Sequence, residues 1–189
     1  TVFEAETIFY GRSTNRAPLA ITFEELCNSE AFTVVINHFK SKGSVFNPAN
    51  ADIGDGQANN NPIRVRAAEA IDAWIKTNPT DTSDEDVLLL GDLNAYANED
   101  PITFLESAGY TDLAELFAGG ETPYSFLFDG QLGTLEYALA NTTLVSQVTG
   151  ATEWHGNADE ADALDYNLDF GRNPELFDGT DPYRNSDHD

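Results

Sequence analysis

A chain of 189 residues with 41% hydrophobic content is long enough for one folded domain and fits neither a disordered nor a fibrous class. Its 33 acidic against 9 basic side chains, a formal charge of −24, are the opposite of the basic footprint that drives nonspecific nucleic-acid binding. Salt screens such repulsion, and turnover needs less affinity than storage does, so the charge weighs against a polyanionic substrate without excluding one. No run of about twenty apolar residues offers a membrane span, and the N-terminus lacks the basic flank and apolar core of an export signal. Cys27 is the only cysteine, so no intrachain disulfide can form. Methionine is absent, and Thr1 is expected to open a piece cut from a longer chain.

In chain order, residues 18–24 and 31–39 read as two strands around a polar turn, the second a near-continuous apolar run. His38 stands at its C-terminal end. Residues 43–62, rich in Gly, Asn, Asp and Pro, form a long loop of the kind compact domains keep for a reason. From 63 to 76, Ala67, Ala70, Ile71, Trp74 and Ile75 recur at helical spacing and predict an amphipathic helix ended by Asn78-Pro79. Residues 86–94 (DVLLLGDLN) are a buried strand running into a turn, and 101–108 and 111–117 predict short helices. A hairpin is expected between 124–128 and 135–140, followed beyond 152 by an irregular, Asp- and Asn-rich tail. Strand, helix, strand implies an α/β crossover.

Three clusters carry chemistry. Gly91-Asp92-Leu93-Asn94 ends a buried strand, where open α/β sheets place ligands. Asp92 and Asn94 share one face there. A carboxylate can hold a divalent cation or take a proton from water, and the amide can donate to a phosphate oxygen; an Asx-turn is the alternative reading. His38, Lys40 and Lys42 concentrate positive charge in a chain poor in bases, which suits contacts to a phosphate, as against solvated lysines beside a satisfied histidine. Ser186-Asp187-His188-Asp189 sets a carboxylate and an imidazole on opposite faces of an extended segment. A Ca2+ ion is a further candidate at the Asp52/Asp55 loop, which is otherwise simply solvated.

The series NHFKSK, GDLNAY, TLEYALAN and SDHD, in that order, resembles the endonuclease/exonuclease/phosphatase superfamily from Ala17 to the last residue. The stretches YSFLFDGQLGTLEYALAN, ATEWHGNADEADALDYN and DPYRNSDHD look most like the large extracellular nucleases of bacteria. The resemblance implies an α/β fold that is part of a four-layered, deoxyribonuclease-like sandwich, mainly its second sheet and flanking helices. Residues 1–189 would then be the C-terminal portion of one such domain, without its N-terminal half and last strand. By the same resemblance Asp92 and Asn94 match residues that engage the attacking water or metal and the scissile phosphate. His38 matches a catalytic histidine, His188 a histidine that contacts phosphate, Asp187 a metal-site aspartate and Arg16 a phosphate-binding arginine. Glu136 stands where the family has an aspartate that supports the terminal histidine.

The implied function is metal-dependent phosphodiester hydrolysis with Mg2+ or Mn2+, by a secreted bacterial nuclease acting on DNA or RNA, with this piece inactive alone. Nucleic acid would be a transient partner and no membrane is implied, while the bared sheet face is expected to recruit a second copy. The rivals are a phosphoesterase of the same fold acting on lipid or sugar phosphates, and a non-catalytic, acidic, calcium-binding module.

Overall fold

The computed structural model describes residues 7–9, 13–165, 167–168, 173–180 and 183–189. Tyr166, Asp181 and Pro182, which belong to two of the quoted motifs, lie outside the described residues. Strands β1 (Leu19–Glu24) and β2 (Ala31–His38) form an antiparallel pair, and helix α1 (Asn61–Ile75) carries the chain over to β3 (Val87–Asp92), which runs parallel to β2. Next come α2 (Asp100–Ser107), β4 (Tyr110–Asp112), α3 (Leu113–Phe117), the hairpin β5 (Phe126–Phe128) and β6 (Gln131–Gly133), β7 (Glu136–Asn141) and α4 (Thr142–Val145). The main sheet has the order β1-β2-β3-β7-β4, and β5-β6 stand apart as a second, two-stranded sheet. The class is α/β.

Two sequence expectations need correction. Residues 111–117 are not one helix: Tyr110–Asp112 pairs with β7, and only then does Asp112 cap α3 by accepting from the amides of Ala114 and Glu115. Three residues hydrogen-bonded to a distant strand leave no periodic trace, whereas the helical turn after them does. The second concerns the hairpin. Phe126–Phe128 pairs with Gln131–Gly133 across the Asp129-Gly130 turn, and residues 136–141 instead lie antiparallel to β3 in the main sheet. Both Asp129 and Gly130 have positive φ, as a tight two-residue turn requires.

Period-two alternation sorts the strands into two faces. Ala20, Val35, Leu89 and Leu139 point to one side and pack with Ile63, Ala67, Ala68 and Ile71 of α1 and Ile102 and Leu105 of α2, all buried. At 25 cal/mol per Å2, each such leucine or isoleucine contributes about 2–3 kcal/mol relative to exposure. The opposite face carries Ile21, Phe23, Phe32 and Ile36, with Ile36 48% and Phe23 50% exposed, while Leu88 and Leu90 are half-buried. The expected loop at 43–62 is built around polar anchors: Arg64 donates to the carbonyls of Asn59 (2.8 Å), Gln57 (2.9 Å) and Lys40 (3.2 Å), and its guanidinium lies 3.6 Å from Glu99.

Candidate active site at the ends of three strands

Strand register builds the site. The parallel pairing sets His38 opposite Asp92, and the antiparallel pairing sets Asp92 opposite Glu136, so three polar residues form one row across β2, β3 and β7. By alternation this row lies on the same face as Ile36 and Leu90, at the C-terminal edge of the parallel strands, where ligands of α/β sheets bind. The row needs β2 and β3 to approach closely, and Gly91 allows it: its φ is +127° and a Cβ there would sit 2.0 Å from the Asn37 carbonyl oxygen.

His188 joins from a remote segment. Residues 187–189 run beside β5: Leu127 donates to the Asp187 carbonyl (3.0 Å), Asp189 donates to the Ser125 carbonyl (2.8 Å), and His188 forms an isolated bridge with Phe126. The Asp189 carboxylate latches the 155–158 loop, accepting from the amides of Gly156 (2.8 Å) and Ala158 (3.2 Å) and meeting His155 Nδ1 at 3.1 Å. His188 thereby turns its Nδ1 to Glu136 Oε1 at 2.5 Å, its ring 4.7 Å from that of Phe126. The extra methylene of Glu136, relative to aspartate, does not break the pair. The other Glu136 oxygen accepts from Ser125 Oγ at 2.6 Å.

Asp92 is fixed by its neighbour. Asn94, in the left-handed region at φ 48°, gives its amide N–H to Asp92 Oδ1 (2.7 Å) and its side-chain amide to Asp92 Oδ2 (2.9 Å) and the Phe39 carbonyl (3.1 Å). His38 Nε2 lies 3.5 Å from Asp92 Oδ2, and Arg16 contacts His38 Nδ1. Burial raises the Asp92 carboxyl to about 6, with Glu136 adding to the rise and the Asn94 amide opposing it. Burial first, and then Arg16 and His188, push His38 down, toward the neutral form. His188 is pushed up, chiefly by its hydrogen bond to Glu136. Two imidazoles with opposite protonation preferences thus flank one carboxylate, the separation of acid and base roles that general acid–base chemistry requires.

Ligand atoms of Asp92, Glu136 and His188 all lie within 4.8 Å of one another, and among the described residues no other cluster of three such groups occurs. Two carboxylates and an imidazole are a donor set that fits a divalent cation. Arg16 reaches the site through His38. Asp187 is half-exposed, its carboxylate 3.9 Å from His188 Nε2, and is not one of the three clustered groups. Lys40 is held by its main chain, donating to Asn15 Oδ1 (2.8 Å) and accepting from Arg64. Lys42 is committed elsewhere: its ammonium group pairs with Glu99 and lies 5.0 Å from the Tyr96 ring centroid. Asp52 and Asp55 cap their own loop by accepting from the amides of Gly54 (2.8 Å) and Gln57 (3.0 Å). Ser125, which sequence reasoning passed over inside YSFLFDG, turns out to contact the site; a small neutral side chain carries no chemical signal of its own.

Fold and site together define a mixed α/β sheet with a carboxylate–imidazole cluster at its strand ends. No family model matches the chain, and no curated protein matches it by sequence. Solved structures similar to it include the human nocturnin catalytic domain (21% identity, TM-score 0.47, 67% of this chain and 41% of that one). Another is an endonuclease/exonuclease/phosphatase family protein from Bacteroides thetaiotaomicron (13%, TM-score 0.47, 67% and 42%). A third is a β-hairpin deletion mutant of Staphylococcus aureus beta toxin (16%, TM-score 0.49, 76% and 53%). The chain spans less than half the length of the first two.

Proposed function

We propose that the protein carrying this chain is a metal-dependent phosphodiesterase of the endonuclease/exonuclease/phosphatase type, a secreted bacterial nuclease whose substrate is DNA or RNA. The observation that carries this reading is the in-register row His38, Asp92, Glu136, completed by His188 from a segment 52 residues beyond Glu136. Asp92 and Asn94 would hold the attacking water, Arg16 would donate to the phosphate oxygens, and neutral His38 would orient Asp92. Bound Mg2+ or Mn2+ at Asp92, Glu136 and His188 would neutralise charge developing on the phosphate. The test is hydrolysis by the intact protein of plasmid DNA, RNA and sphingomyelin vesicles, with Mn2+ and with a chelator. Metal-dependent nucleic-acid cleavage supports the reading; cleavage of lipid alone moves the chain to the rival phosphoesterase. The exposed Phe128, whose ring stacks on Phe126 beside His188, favours that second reading.

Metal binding should weaken on acidification. Asp92, with a pKa of about 6, must lose its proton to ligate, and His188, whose pKa is raised, must present a free nitrogen. Calorimetry with Mn2+ is expected to show affinity falling as pH drops through about 6; a pH-independent affinity between 5 and 7 would place the ion elsewhere.

A second copy of the chain is the proposed cover for the face of Ile21, Phe23, Phe32 and Ile36, because contiguous apolar patches beyond a few hundred Å2 are rare on soluble monomers. Sedimentation should show self-association that the double substitution Phe23→Lys/Ile36→Lys abolishes. A monodisperse native monomer before substitution would reject it.

A further inference from the structure

Ser125 lies just before β5 and is 2% exposed. Its hydroxyl accepts two amide hydrogen bonds, from Leu135 and from Glu136, each at 3.1 Å. A hydroxyl has two lone pairs and one proton. With both lone pairs taken by backbone amides that cannot move without unpicking β7, the direction of the proton is no longer free, and it points at Glu136 Oε2, 2.6 Å away. Glu136 is thus held at both oxygens, Oε2 by a donor fixed in the backbone frame and Oε1 by His188 Nδ1. A carboxylate pinned at Oε2 can offer Oε1 in one direction only, and that direction selects the His188 tautomer with hydrogen on Nδ1, leaving Nε2 for the site.

We propose that Ser125 is the positioning residue of the cluster, setting the ring orientation and tautomer of His188 through Glu136. The use of that orientation in phosphodiester hydrolysis rests on the proposed function, but the orientation itself does not. The Ser125 backbone is held independently of its hydroxyl: its amide donates to the Gly133 carbonyl (3.0 Å) and its carbonyl accepts from Asp189 (2.8 Å). Removing the hydroxyl therefore leaves the hairpin and the tail in place while freeing Glu136 to swing. Outer partners of this kind change metal affinity or turnover by roughly 10–100-fold when removed.

The experiment compares the wild-type protein with Ser125→Ala, Ser125→Thr and the near-isosteric Ser125→Cys, first by 15N NMR of the histidine rings in the metal-free state, at a pH high enough that His188 is neutral. The wild type should show His188 as a single Nδ1–H form with a low-field ring proton; Ser125→Ala and Ser125→Cys should show exchange between tautomers with that proton lost; Ser125→Thr should restore the wild-type pattern. Mn2+ affinity and kcat should fall about 10–100-fold in the alanine variant with KM little changed, and recover with threonine. Unchanged His188 ring signals in both the alanine and cysteine variants would overturn the proposal, as would a threonine variant no better than alanine. If the protein hydrolyses no phosphodiester, the functional reading fails while the ring signals still decide the role of Ser125.

Discussion

Asp92→Asn in the intact protein is expected to lower phosphodiester hydrolysis by roughly 10^2–10^4-fold, the range associated with losing a positioned proton-transfer group. The substitution is nearly isosteric. One oxygen can still accept from the Asn94 amide N–H, now made at 2.7 Å, so the turn should survive. The new amide nitrogen, however, would face two donors that Asp92 now satisfies, the Asn94 side-chain amide at 2.9 Å and His38 Nε2 at 3.5 Å. The charge that would hold a cation between Asp92 and Glu136 also disappears. Far-ultraviolet circular dichroism should stay the same, with Mn2+ affinity and kcat falling together. A variant retaining kcat within about threefold of wild type would remove Asp92 from the chemistry.

The largest effect on stability is expected at Gly91→Ala. The φ of +127° is a region alanine avoids, and the added Cβ would stand 2.0 Å from the Asn37 carbonyl oxygen, a backbone atom that cannot rotate away. Backbone strain of about 1–3 kcal/mol and overpacking of about 1–3 kcal/mol together come to roughly 2–6 kcal/mol. A domain's whole stability is about 5–15 kcal/mol. Relief would require β2 and β3 to part at the row that carries His38 and Asp92, so function should fail with stability. Urea denaturation reads the cost, with Gly150→Ala as the control: nothing lies within 4 Å of a Cβ built at Gly150. Equal midpoints for the two variants would mean that the strand approach at Gly91 is not tight.

Much of this architecture was legible in the residues because it is written in local pattern. The apolar run at Val87–Leu90 and the helical spacing of Ala67, Ile71 and Ile75 are set by burial, and burial imposes periodicity. The clustering of His38, Asp92, Asn94 and His188 could be expected from motif order together with the rule that α/β sheets gather their polar residues at one strand edge. What pattern could not show depends on partners far away in sequence. β7 resembles a second hairpin arm until β3 claims it, and β4 is three residues whose only strand credential is a hydrogen-bonded neighbour. Lys42 reads as a phosphate ligand beside His38, yet Glu99, 57 residues on, neutralises it. Glu136 gives no sign in the sequence of how its far oxygen is held, which Ser125 does from 11 residues away.

The way His188 is attached has a kinetic meaning. His38, Asp92 and Glu136 belong to neighbouring strands of one sheet and are in place once that sheet has formed. His188 must close a loop of 52 residues back to Glu136, and it is held there by hydrogen bonds along β5, by the Asp189 latch and by buried Arg184, which donates to the carbonyls of Ala158 (3.0 Å) and Leu127 (3.2 Å), rather than by a strand ladder. Loop closure of that length costs entropy that the sheet does not share, and segments held outside the ladders of the main sheet can open at a fraction of the global unfolding free energy. His188 is therefore expected to join the row after the sheet has formed and to leave it before the sheet opens. Fluctuation of the 183–189 segment would switch the site between three members and four without disturbing the core, and a ligand that grips His188 would slow that opening.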